Sequence, residues 1–238
     1  MRQRVAPQRP QLIETENPDA VGIIVISSAK FFKEVVDKFD FSSGRTDFVD
    51  ATVDYHIKNL AKFFDNSMSM SSCNTDKLPY YHVQSIGYVA AIDEYVDSTE
   101  FAEKMQDRPS DFIANRDENI WGSIKNKLLS VNIHPRYGGW YAYRMLLVLH
   151  SGTWPDDIPQ PAPLHFLSPK EKRIVIKEYN KHPDLGRWRD FHDVSTGRLQ
   201  KYETHQYLFF HETSTDKRRR ILELLKQDTS IQSRETRK

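Results

Sequence analysis

A chain of 238 residues with 38% hydrophobic content is long enough to bury a substantial core as one domain. Its 34 Lys and Arg against 33 Asp and Glu leave a net charge of +1, which excludes bulk attraction to nucleic acid or to an anionic membrane. Cys73 is the only cysteine, so an internal disulfide and a thiolate-rich zinc site are excluded too.

No apolar run reaches the roughly 18 residues a membrane helix needs, and the first ten residues lack the apolar centre of a secretory signal. The cytoplasm is the expected location. Residues 1–20 hold three prolines among polar side chains and read as a flexible arm. Val21 to Ile26 is a continuous apolar run ending in Ser27 and Ser28, which suits a buried strand feeding a helix cap. The helix that follows spans 29–39, with Phe32, Val35, Val36 and Phe39 at helical spacing.

Val49, Val53, Ile57, Leu60 and Phe64 fall on one stripe and predict a second helix over 47–64. His56 flanks it and reads as a half-buried histidine rather than a ligand. A polar loop containing Cys73 runs to Pro79, then a strand over 80–85 and a helix over 87–105 carrying Val89, Ile92, Val96 and Phe101. The polar stretch from Asp97 to Trp121 is broken at Pro109.

Residues 128–133 and 140–149 are rich in side chains that suit a pleated, half-buried surface, and predict a central hairpin. Pro135 and Gly138-Gly139 shape its turn, and the bare glycine backbone offers a flat ligand a close approach. By period two, Trp140, Ala142, Arg144 and Leu146 share one face, and Tyr141, Tyr143, Met145 and Leu147 the other. Arg144 among large apolar residues is therefore either half of an ion pair or an anion-binding group. His134 can ligate a metal, move a proton or cap the turn; capping is the commoner fate.

The four prolines between Pro155 and Pro163 make 151–163 a tether rather than a strand. Ser168-Pro169-Lys170-Glu171 has a capping serine, proline at the first helical position and glutamate at the third, so a helix runs to about Asn180. Further helices are expected over 198–210 and from Ser214 or Thr215 to Lys226, with 227–238 a disordered tail. Helices alternating with strands give a mixed α/β, or α+β, class. There is no G-x-G-x-x-G, P-loop, G-x-S-x-G or H-E-x-x-H.

The run His-Pro-Arg-Tyr-Gly-Gly-Trp-Tyr-Ala-Tyr-Arg at 134–144, with Trp121-Gly122 ahead of it, resembles the CblC or MMACHC family, with weaker similarity from about Val21 to Leu225. That family is described as cyanocobalamin reductases and alkylcobalamin dealkylases. The resemblance implies a flavin nitroreductase-like fold with a mainly antiparallel sheet flanked by helices, as a single domain over 21–226 whose part from 151 on is helical.

It implies cobalamin contacts at Gly138, Gly139, Trp140 and Tyr88, and carboxylate-binding arginines for glutathione at Arg144, Arg189 and Arg220. Flavin contacts, for FMN or FAD, fall on Tyr95, Leu129 and Ser130. The family's His-x-x-Gly pattern aligns with Tyr88-Val89-Ala90-Ala91, which lacks both the histidine and the glycine. The implied function is removal of cobalamin's upper axial ligand, by glutathione-dependent dealkylation or flavin-dependent reductive decyanation. Two other functions fit the same scaffold: a non-catalytic cobalamin chaperone or adaptor, and a flavin reductase without cobalamin. Implied partners are cobalamin, glutathione and other cobalamin-trafficking proteins, with the chain a monomer or a ligand-induced dimer.

Overall fold

The computed structural model describes residues 17, 19–38, 48–71, 83–99, 128–182, 186–212 and 214–235. Cys73, the Pro109 break, Trp121-Gly122 and most of the N-terminal arm lie outside these residues. The long strand Tyr141–Thr153 (β5) is central, with Ala20–Ser28 (β1) antiparallel on one side and Ser67–Ser71 (β2) antiparallel on the other. A second, two-stranded sheet pairs Glu94–Val96 (β3) with Val131–Ile133 (β4). Over 87–96 the expected helix is replaced by a short helix Val83–Val89 (α3), a turn through Ala91, and β3, while residues 100–105 lie outside the described residues. Helix over 83–89 also stands where the end of a strand over 80–85 was expected.

The central hairpin does not form. β4 and β5 belong to different sheets; in the turn between them the backbones of His134 and Gly138 exchange bonds of 3.0 and 2.8 Å. The sheet register explains the second departure: Val25 pairs Met145 and Ile26 pairs Tyr143, so Arg144 is an extra residue in β5, a bulge. A one-residue insertion exchanges faces beyond it. Tyr141 and Tyr143 thus share a side with Leu146 and Val148, which pack with Ile86 and Met70, whereas Met145 packs on Val53 and Ile57 of helix Phe48–Ala61 (α2).

The helical face of the large sheet carries a core of Phe32, Val35 and Val36 from helix Ala29–Lys38 (α1), Phe48 and Val49 from α2, and Phe209 and Leu222. The last two come from helices Thr204–His211 (α5) and Thr215–Glu235 (α6). α6 continues beyond Lys226 because no glycine or proline follows to stop it. α5 begins at Thr204 rather than 198, since 3₁₀ turns at Arg187–Asp190 and Val194–Thr196 precede it and the chain stays extended between.

The smaller sheet packs Val96, Val131 and Ile133 against Val175 and Ile176 of helix Pro169–Lys181 (α4), with Trp188. Fully buried Glu94 anchors the entry to α4: its Oε2 accepts from the N–H groups of Phe166 (2.7 Å) and Leu167 (2.8 Å), and Lys172 Nζ lies 2.5 Å from Oε1. The capping box read from sequence is present, with Ser168 N donating to Glu171 Oε2 at 2.8 Å and Glu171 N to Ser168 Oγ at 3.3 Å. No helix among the described residues is long and apolar enough to cross a membrane.

The cap should be separable from the buried Glu94 anchor. Ser168→Ala is expected to lower stability by about 1 kcal/mol, read as a lower urea midpoint at unchanged slope; an unchanged midpoint would show that Glu94 alone fixes the start of α4.

Candidate functional site

The turn His134–Gly138 brings the conspicuous residues together, in a manner the glycines explain. Gly138 is buried at φ +56°, and a Cβ there would land on the Arg189 and Phe191 carbonyl oxygens; at Gly139 it would meet the Trp188 ring. The bare backbone therefore admits the close approach of residues 188–191. Gly139 N donates to Arg189 O at 2.9 Å and Arg189 Nη1 returns a bond to Gly139 O at 2.6 Å.

This lock sets Trp140. Its Nε1 donates to Asp190 Oδ1 at 2.9 Å, its ring meets Tyr202 edge-on at 5.5 Å, and the Arg189 guanidinium lies 5.6 Å from the ring centre. Tyr202 in turn packs 5.4 Å from Phe210, over which the Arg144 guanidinium sits at 5.5 Å. Burial raises the Tyr202 hydroxyl pKa, and the charges of Arg144 and then Arg189 act on it in the opposite direction. Two of the three expected arginines thus flank one aromatic cluster, Arg144 over Phe210 and Arg189 over Trp140, with Tyr202 packed against both rings. Arg220 is exposed on α6 and is not among the groups acting on Tyr202.

The ion-pair reading of Arg144 is realised. Its side chain is 12% exposed; Nη1 lies 3.1 Å from Asp50 Oδ1 and Nε donates to Ser27 Oγ at 2.7 Å. Asp50 is 75% exposed, so the pair contributes at most about 1 kcal/mol and holds the guanidinium in place without neutralising it in a closed core.

On the opposite face of β5, buried Asp93 gathers three elements. Tyr141 and Tyr143 both donate to its Oδ2, the former at 2.8 Å, and Asn132 Nδ2 donates to Oδ1 at 2.5 Å. Burial outweighs these bonds and raises the Asp93 pKa; burial and the Asp93 charge push both tyrosines upward. Gly87 is compulsory above this cluster, because a Cβ would strike the Tyr143 hydroxyl and Asp93.

His134 caps the turn. Its Nδ1 accepts from the N–H groups of Arg136 (3.0 Å) and Tyr137 (3.3 Å), and desolvation, then Arg136, pulls its pKa down to about 4. The neutral ring carries its proton on Nε2, so neither nitrogen offers a free lone pair to a metal. Among the described residues no cluster of three metal-ligating side chains occurs.

The flavin positions have internal partners. Leu129 N donates to Asn180 Oδ1 at 2.8 Å and Leu129 O accepts from its Nδ2 at 3.0 Å. Ser130 Oγ accepts from Ser98 N at 2.9 Å and lies 3.0 Å from Ser98 Oγ. Tyr95 packs 6.1 Å from Tyr88. Ala91, at the position aligned with the family's glycine, has φ +51°, the left-handed conformation that a glycine adopts freely.

Sequence reasoning missed Asp93, Asp190 and the role of Tyr202. Asp93 was hidden by the expected long helix, although two tyrosines alternating at 141 and 143 in an apolar strand already call for a buried polar partner.

Two consequences are measurable. Ala91→Gly should raise stability by roughly 0.5–1 kcal/mol, relief of left-handed strain exceeding the added chain entropy; a lower urea midpoint would contradict it. Because the Asp93 pKa is raised on folding, its contribution is fully present below the unfolded value and lost as pH rises through the folded one. His134, lowered on folding, acts oppositely: its contribution is present above the unfolded value near 6.5 and lost as pH falls toward about 4. Urea melts of the parent and Asp93→Asn chains between pH 5 and 9 should show the parent losing stability relative to the variant as pH rises; parallel curves would contradict this.

The geometry can be set beside known proteins. The family model of the methylmalonic aciduria and homocystinuria type C family matches residues 8–222. A chicken protein named cyanocobalamin reductase / alkylcobalamin dealkylase is 28% identical over 197 residues, covering 81% of this chain and 75% of that one. The human protein of the same name is 27% identical over 200 residues, 80% of this chain and 62% of its own length. A Caenorhabditis elegans B12-trafficking protein, CblC, superposes with a TM-score of 0.66 at 19% identity, over 88% of this chain and 80% of that one, and shares the mixed, mainly antiparallel fold expected from the resemblance. The chain belongs to the methylmalonic aciduria and homocystinuria type C (MMACHC) family.

Proposed function

We propose that the chain binds cobalamin and removes its upper axial ligand, with the thiol of glutathione accepting an alkyl group. Relatives bearing the name cyanocobalamin reductase / alkylcobalamin dealkylase support the substrate class. The observation that carries the reading is a half-buried pair of cations on one aromatic cluster, Arg144 over Phe210 and Arg189 over Trp140, with Tyr202 packed against both rings. Guanidiniums bind carboxylates in a forked geometry, and a peptide thiol with two carboxylates suits two of them.

In the reaction, thiol sulfur attacks the alkyl carbon, the cobalt–carbon electron pair stays on the substrate's cobalt, and the thiol proton leaves to solvent. The protein's part is to hold the thiol acid at Arg144 and Arg189, lowering the entropic cost of meeting the alkyl group. Arg220, on the helix whose Leu222 packs with Phe209 beside Phe210, is the proposed third cation. Trp140 and Tyr88 are the proposed corrin contacts, and Gly138 and Gly139 act by locking Trp140 in place. FMN or FAD, where it binds, would supply electrons for reductive decyanation. The proposed setting is cytoplasmic, among other cobalamin-trafficking proteins, as a monomer or a ligand-induced dimer.

The test is a visible-absorption titration with methylcobalamin, repeated with glutathione. Binding should shift the spectrum and glutathione should convert it; Arg144→Ala should require about 10- to 100-fold more glutathione at unchanged cobalamin affinity, the loss expected for a charge-assisted bond. No spectral change at saturating protein would sink the reading. A second reading, a cobalamin chaperone, is favoured by Tyr88 standing where the family carries histidine; it predicts a shift without conversion.

A further inference from the structure

A cleft of about 1560 Å³ lies between β1, α3 and the proline-rich tether. Every residue from Asp19 to Ile24 lines it. Successive side chains of a strand point to opposite faces, so a cleft lined by all of them takes in the strand's hydrogen-bonding edge, besides the face that carries Leu146 and Ile86. β1 is the terminal strand of its sheet, in the order β1-β5-β2, and this edge pairs with no strand among the described residues.

Natural edges are commonly blunted by lysine, proline or an inward charge. The sequence of β1, Ala-Val-Gly-Ile-Ile-Val-Ile-Ser-Ser, has none of these, and Ile23 is 39% exposed. Across the cleft stand Val89 of α3 and Ile158 of the tether, 72% and 47% exposed. The tether is folded back on itself by Trp154 Nε1 donating to Ile158 O at 2.6 Å, and its prolines cannot extend the sheet. Asp19 and Asp156 are the charged residues of the lining, which contains no lysine, arginine or histidine.

We propose that this cleft receives an extended segment of a partner polypeptide, added to β1 as a further strand, with alternate apolar side chains on Ile23, Val89 and Ile158 and a lysine or arginine toward Asp19 and Asp156. Main-chain pairing supplies affinity, and the apolar wall and acidic mouth supply selectivity. The site is separate from the arginine pair and does not rest on the cobalamin reading.

The test is selection of a random dodecapeptide library on the full chain, followed by fluorescence anisotropy and hydrogen exchange with the selected peptides. The expected peptides alternate β-branched residues and carry a basic residue; they protect the amides of residues 20–24. Ile23→Lys and Ile158→Asp, both on exposed side chains, should each weaken binding at least about tenfold, with far-ultraviolet circular dichroism unchanged. Failure to enrich any peptide over the Ile23→Lys chain, or protection confined to other segments, would overturn the proposal. So would displacement of the peptide by stoichiometric cyanocobalamin, which would assign the cleft to the corrinoid.

Discussion

One extra residue in the central strand sets the layout of both faces of this protein. Without the bulge at Arg144, strict alternation would put Arg144 on the side of Leu146, under α3, and Met145 with the tyrosines. With it, Arg144 meets Ser27, Asp50 and Phe210 on the helical side, and Tyr141 and Tyr143 meet Asp93 on the other. The bulge therefore converts what would be an unpaired guanidinium inside a core into a cation held by Ser27 and Asp50. Bulges recur where a strand must re-aim one side chain, and this one aims the residue on which thiol recognition is proposed to depend.

The two sheets are joined by polar groups rather than by a shared apolar core. The large sheet and the small sheet each have their own cluster, and between them lie the Asp93 hub and the glycine lock of Gly138 and Gly139 on residues 188–191. A buried polar hub is costly unless its groups are satisfied, and it fixes geometry more sharply than apolar packing does. Trp140 lies at the end of that chain of constraint: the glycines admit the Arg189 backbone, Arg189 and Asp190 orient the indole, and the indole packs edge-on against Tyr202.

The helices with a single apolar stripe or an explicit cap were legible in the sequence. The box Ser168-Pro169-Lys170-Glu171 located α4, and the stripes of Phe32, Val35 and Val36 and of Val49, Val53 and Ile57 located α1 and α2. What periodicity missed depended on distant partners. The segment around Asp93 looked helical because Val89, Ile92 and Val96 fall at helical spacing, yet the left-handed turn at Ala91 and pairing with β4 end the helix early. Strand partners of β4 and β5 are likewise non-local; adjacent strands around a turn with proline and two glycines favoured a hairpin that neither strand forms. In the site, Arg144 and Arg189 were readable as anomalous or family-matched cations, whereas Tyr202 was read as an apolar helix member and Asp190 drew no notice, since their roles arise only when 140 and 190–202 come together.

Arg144 and Arg189 are proposed to act together on one bound thiol acid, and a double-mutant cycle distinguishes shared from independent recognition. Glutathione affinity would be measured by calorimetry on the methylcobalamin-loaded parent, Arg144→Ala, Arg189→Ala and the double variant. Shared recognition predicts a coupling of about 1 kcal/mol or more between the two substitutions. Strict additivity, or affinity indifferent to both arginines, would contradict a common site.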